Sequence, residues 1–355
     1  MFSRPTPLSR RRSLALALAG AATLPLALAV AAPAGVAGGP SGGRVFVADR
    51  AGGTVSVIRV RDDQVTSTLS LPAAAAPAEP MYVVYSPNVD RVFVGDRAND
   101  RVVAFHADTL AFDGEAKAGA GVFHMWADAS NKQLWVNNDV DLTTSVIDVE
   151  TLATIATVPT PADLVALGGK PHDVIVDGDQ AFVTVNGVTG PDDYVVRFST
   201  TTFQETGRAP VGDDAHLSSN ASDLLYVPCQ AANAVYVLDR GDLSLVKIID
   251  VPGAHGAGMM DSGRVFYTTN LPGGGTGALH AIDTSGLQTI GTPVDAPYAT
   301  PHNVALTPNG RKLYLTHSGA TADKVTIYRI ASDATPVFAG EVTVGLNPFG
   351  LDYVP

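Results

Sequence analysis

Residues 301–317 read PHNVALTPNGRKLYLTH, and residues 171–183 read PHDVIVDGDQAFV. Each is a proline, a histidine, a short β-branched run, a turn and a second apolar run. The same phrase returns as FHMWADASNKQLWV at 123, AHLSSNASDLLYV at 215 and AHGAGMMDSGRVFY at 254. Its histidines, His124, His172, His216, His255 and His302, are separated by 48, 44, 39 and 47 residues. Roughly 40–50 residues is the length of one four-stranded propeller blade. EPMYVVYSPNVDRVFV puts Met81 in the same column, and NPFGLDYVP at the C-terminus puts Phe349 there, making seven repeats.

Alternating hairpins with turn signals such as SPNVD, DGD and TPNG, 35 glycines and 24 prolines describe an all-β chain. The expected fold is a seven-bladed β-propeller over residues 44–355. RVFVADR and TVSVIRV, from Arg44, read as second and third strands without a first. The C-terminal GLDYVP supplies the missing strand, so that the ring is closed by its two ends and leaves no exposed sheet edge.

A residue repeated at one depth of every blade forms a ring around the axis. Five imidazoles there read as a transition-metal site, with His124, His172, His216, His255 and His302 as ligands. Met81 falls in the column itself. Cys229 and His317 end the second strands of their blades, where they approach His216 and His302, and complete the candidate set. Nitrogen with soft sulfur favours copper, then iron or zinc, over calcium or magnesium. Asp128, Asp173, Asp213, Asp214 and Asn303 are polar neighbours able to orient an imidazole through its second nitrogen. His106 and His280 lie in third strands and read as structural.

Residues 1–34 read as a targeting segment. Ser9-Arg10-Arg11-Arg12-Ser13-Leu14 fits the twin-arginine pattern, an Ala/Leu-rich stretch follows, and small-residue cleavage sites occur near Ala31 and Ala34. Residues 35–43 read as a flexible linker. The expected location is extracytoplasmic, with membrane contact only through an uncleaved signal. Four of the 23 Lys+Arg and none of the 35 Asp+Glu lie in the first 34 residues, so the remainder carries a net charge of −16. That balance, without a basic patch interleaved with aromatics, argues against nucleic-acid binding. A single cysteine excludes an intramolecular disulfide. No C-x-x-C-H, P-loop, Rossmann or G-x-S-x-G signature is present in the required context.

SPNVDRVFVGDR, ASNKQLWVNND with SVIDVET, and TPNGRKLYLTHSG resemble the repeats of the YVTN family of seven-bladed propellers. That resemblance implies the fold over essentially the whole chain beyond the signal. Histidines converging on a propeller axis behind a twin-arginine signal also resemble the propeller domain of nitrous oxide reductase, without its cupredoxin domain and without a His-His pair. This second resemblance implies copper and redox chemistry. Two functions are therefore expected in competition. One is a small-molecule oxidoreductase served by a redox partner protein. The other is a non-catalytic extracytoplasmic binding protein or metal carrier. Replacing Arg10 and Arg11 by lysine should leave the precursor inside the cell, as fractionation and immunoblotting would show; undiminished export would assign the chain to the general secretory route.

Overall fold

A computed structural model of the chain describes residues 42–128, 130, 132–217 and 223–355; the targeting segment lies outside them. Seven antiparallel sheets are arranged as the blades of a propeller. Blade 1 runs Pro348–Val354, Arg44–Asp49, Thr54–Arg59 and Gln64–Ser70, inner to outer. Closure occurs by the expected pairing, with Arg44 opposite Val354 and Val47 opposite Leu351. The other inner strands are Pro80–Ser86, Val122–Ala127, Lys170–Asp177, Ala254–Met259 and Pro301–Leu306. Blade 5 begins with Ala215 bridged to Cys229, ahead of the strands Leu224–Cys229, Ala234–Asp239 and Leu245–Asp250. No described helix is long and apolar enough to cross a membrane.

Strand alternation explains the packing. Inner and middle strands are buried almost throughout, and their side chains fill the spaces between blades. The apolar clusters accordingly straddle blade pairs, as where Phe46 and Val57 of blade 1 meet Val83 and Val94 of blade 2. Outer strands such as Leu245–Asp250 are mostly exposed.

Every inner strand except that of blade 5 breaks register once, near its start. Pro80 faces Asp96 but Val83 faces Val94, and the same three-against-two count recurs at Val122/Met125, Pro171/Val174, Ala254/Ala257, Pro301/Val304 and Pro348/Leu351. Each is a β-bulge, which leaves backbone unpaired and re-aims a side chain. The unpaired carbonyls are satisfied from the preceding blade: Asn137 donates to His172 O, Thr269 to His302 O and Thr316 to Phe349 O. Two bulged residues must be glycine. A Cβ on Gly256 would lie 1.8 Å from His302 O, and one on Gly350 would lie 2.8 Å from Met81 O.

At the end of the second strand a polar device repeats as well. Asn138 donates to Thr143 Oγ1 and Ser145 Oγ, five and seven residues on. In blade 1 the device is built with an acid, Asp49, accepting from Thr54 and Ser56. Burial outweighs these hydrogen bonds and raises the Asp49 carboxyl to about 6. A carboxyl raised in the folded state costs no stability below about pH 4 and a growing amount up to pH 6. Hydroxyls donate or accept, so an amide serves the same partners. Asp49→Asn should therefore raise the melting temperature at pH 8 and leave it nearly unchanged at pH 4, as thermal unfolding at the two pH values would show.

Candidate functional site

The two residues inside each bulge, with His216 and Leu217 after the Ala215–Cys229 bridge of blade 5, define two tiers around the axis. The first holds Met81, Phe123, His172, His216, His255, His302 and Phe349; the second holds Tyr82, His124, Asp173, Leu217, Gly256, Asn303 and Gly350. His124 is thus one residue out of the column expected for it. Val122, not Phe123, matches the prolines that precede the hoop residues, and Phe123 takes the first-tier place.

The first tier is a hoop of touching rings. Centroid separations run 4.7 Å from Phe123 to His172, 4.8 Å to His216, 3.8 Å to His255, 4.9 Å to His302 and 4.1 Å to Phe349. Phe349 and Phe123 close the circle at 6.2 Å, and Tyr82 of the second tier packs on both, 5.5 Å from Phe349 and 5.6 Å from Phe123, and stands 4.7 Å from His124. Met81 is fully buried in the apolar cluster containing Val122 and Phe349.

Asp173 organises the polar half of the hoop. Its Oδ1 lies 3.0 Å from His172 Nδ1, and its Oδ2 lies 3.4 Å from His216 Nδ1 while accepting from the Leu217 amide at 2.9 Å. Burial alone would raise this carboxyl; His124 and His172, with the hydrogen bonds from His172 and His216, outweigh it and hold it well below the usual range. His216 also lies 3.3 Å from Asp214 through Nε2. That contact is electrostatic and poorly aligned, because the nitrogen makes no hydrogen bond by geometry. Burial opposes charge on His216, yet Asp173 and Asp214 raise it to about 9.

His302, His255 and His124 are held neutral. Burial, reinforced by the charge on His216, lowers His302 to about 3 and puts His255 well below its ordinary value. Burial lowers His124 too, against the pull of Asp173. His124 Nδ1 accepts from the Val174 amide, and His302 Nδ1 accepts from the Asn303 side chain, so both carry their proton on Nε2. His255 Nδ1 is buried without a partner. His172 is the most open of the five, its side chain 26% exposed.

The second-strand candidates approach the hoop only through their backbones. Pro301 pairs with His317 and Ala215 with Cys229, as expected. Their side chains turn elsewhere. His317 Nδ1 meets Ala299 O and Nε2 meets Thr326 Oγ1. Cys229 sits in the apolar cluster with Val211 and Leu225, where burial pushes its thiol up. Of the expected orienting groups, Asp173, Asp214 and Asn303 reach histidines, while Asp128 caps a turn through Ser130 and the Gly178 amide. Phe123 and Tyr82 were not singled out by sequence; the proline-defined column was the signal for Phe123.

A family model described as Lactonase, 7-bladed beta-propeller matches residues 23–253. The chain belongs to this lactonase family. The propeller expected from the YVTN resemblance stands, under a different family name. No curated protein sequence matches the chain. Among solved structures, the periplasmic gluconolactonase PpgL of Pseudomonas aeruginosa superposes with a TM-score of 0.68 at 16% identity, over 88% of this chain and 99% of that one. A putative 6-phosphogluconolactonase from Bacteroides fragilis gives 0.67 at 15% identity, over 89% and 99%. The dihydro-heme d1 dehydrogenase NirN gives 0.59 at 13%, over 87% and 74%. At these identities the likeness is one of fold.

The elevated His216 has a measurable consequence. A histidine whose folded value exceeds its unfolded one contributes stability fully below about pH 6.5, lost as pH rises through about 9. Asp214 is the more open of its two carboxylates. Asp214→Asn should lower the midpoint of the His216 imidazole titration, followed by NMR in chelator-treated protein, and flatten the fall of melting temperature between pH 7 and 9. An unchanged midpoint would remove Asp214 from the ion pair.

Proposed function

We propose that this lactonase-family propeller is an exported hydrolase of a small cyclic ester, acting at the axial hoop with His172 as general base. One observation carries the reading: Asp173 holds His172 Nδ1 at 3.0 Å on the most open imidazole of the hoop. The carboxylate fixes the proton on Nδ1 and leaves Nε2 free to accept one, the arrangement that makes histidine an effective base in acyl transfer. A water attacks the lactone carbonyl as Nε2 takes its proton. The ring C–O bond then breaks, and the departing alkoxide recovers that proton from His172. The family match and the likeness to a periplasmic gluconolactonase support lactones as the first substrates to test.

A second reading rests on a different observation. Donor atoms of His172, Asp173 and His216 lie within 4.8 Å of one another, and the unpartnered His255 Nδ1 is close by on the next ring. A transition metal, copper first and iron or zinc next, would be held by His172, His216 and Asp173 with His255. His302 would need its Nε2 proton removed, and His124 has its Nδ1 occupied by a backbone amide. Such a centre would supply Lewis-acid or redox chemistry to a small molecule, with a redox partner protein in the second case. Without an open position it would serve as a carrier.

His172→Ala should lower kcat/KM for lactone hydrolysis by roughly 10²–10⁴ with the melting temperature retained. Dialysis against chelator separates the readings: rates that survive it support the metal-free base, and rates lost and restored by copper or zinc support the metal centre. Equal rates in His172→Ala and wild type would overturn both.

A further inference from the structure

The hoop closes one end of the axial channel, but the channel continues. A cavity of about 270 Å³ is lined by residues one to four positions beyond the hoop residues along the inner strands, from the second tier downward. Tyr82, His124 and Asn303 form its inner end, so it lies on the other side of the hoop rings from the strand starts. The catalytic reading does not use it.

Three features of its wall point to one kind of ligand. First, Asp352 is its only acidic residue, and no lysine or arginine lines it among the described residues. The Asp352 carboxyl accepts from the Tyr85 amide of the next blade at 2.8 Å and from the Tyr353 amide at 2.8 Å. Neither partner is a cation, so the charge has no neutralising group. Burial raises this carboxyl to about 7, so a positive ligand beside it would favour the ionised form. Second, Tyr82, Tyr85, Trp126 and Tyr353 line the same space. Aromatic faces attract cations within about 6 Å. Third, much of the remaining described wall is apolar, with Met125, Met259, Val304 and Leu306.

From this geometry we propose that the axial cavity is a second site, binding a compact organic ammonium ion between the Asp352 carboxylate and the aromatic residues of the wall. A strongly acidic chain further concentrates cations around its openings. The volume accommodates a cation of seven or eight heavy atoms, and the ligand needs no contact with His172.

Choline and its neutral isostere 3,3-dimethyl-1-butanol test the assignment on the full protein. Trp126 is the reporter, because the other tryptophan, Trp135, is fully buried away from the cavity. Choline should give a saturable change in tryptophan fluorescence, at least tenfold tighter than the butanol. Asp352→Asn, whose amide oxygen still accepts from Tyr85, should bring choline down to the butanol's affinity, with the fold checked by circular dichroism. No saturable choline binding, equal affinity for the two isosteres in the wild type, or unchanged choline affinity in folded Asp352→Asn would each overturn the proposal. The isostere comparison stands even if the variant does not fold. Lactone hydrolysis enters none of these measurements.

Discussion

Everything in this molecule hangs on a pairing between its two ends. The strand Arg44–Asp49 has no inner neighbour until Pro348–Val354 reaches it. Without that pairing the seven sheets would be an open array with exposed edges and a gap at the axis. With it, each blade packs on two neighbours, and the inner edges of the seven sheets are held around one line. The hoop exists only because that line exists. Asp352 adds to the seam, reaching from the closing strand to the Tyr85 amide of the next blade.

The bulges turn a repeated strand into a site. A regular inner strand would send its side chains into the spaces between blades. Two residues set outside the ladder point where regular alternation would not send them, and the first of the pair turns its ring to the axis. The cost is a set of backbone carbonyls without partners, which the buried Asn137, Thr269 and Thr316 satisfy from the blade before. These residues, polar in otherwise apolar strands, are explained by the bulge rather than by chemistry at the hoop. The same geometry demands glycine at 256, where the neighbouring backbone occupies the space of a Cβ.

The fold was legible because a propeller writes itself seven times. Spacing, turns and the prolines before the hoop each report the same period, and the orphan strand at Arg44 reports the closure. The site was legible only as a column. Histidine identity placed His124 in it, whereas the ladder places Phe123 there, because histidine in the second bulge position looks the same in sequence as histidine in the first. Cys229 and His317 were correctly brought beside hoop residues along the backbone. Their side-chain directions depend on strand alternation and on partners such as Thr326, which lie in other strands and leave no local mark. The grip of Asp173 on His216 crosses from one blade to the next and is likewise invisible to a repeat.

The chain of ring contacts from Phe123 to Phe349 has one more consequence. Imidazoles stacked at 3.8–4.9 Å feel each other's charge through little intervening solvent. Burial first, and then the proton that His216 holds between Asp173 and Asp214, keep His255 and His302 neutral. The three therefore do not act as separate basic sites. They behave as a store with room for a single positive charge, whose position is chosen by the two carboxylates. A second proton, or a metal ion, on these three rings would have to contend with the charge His216 already holds.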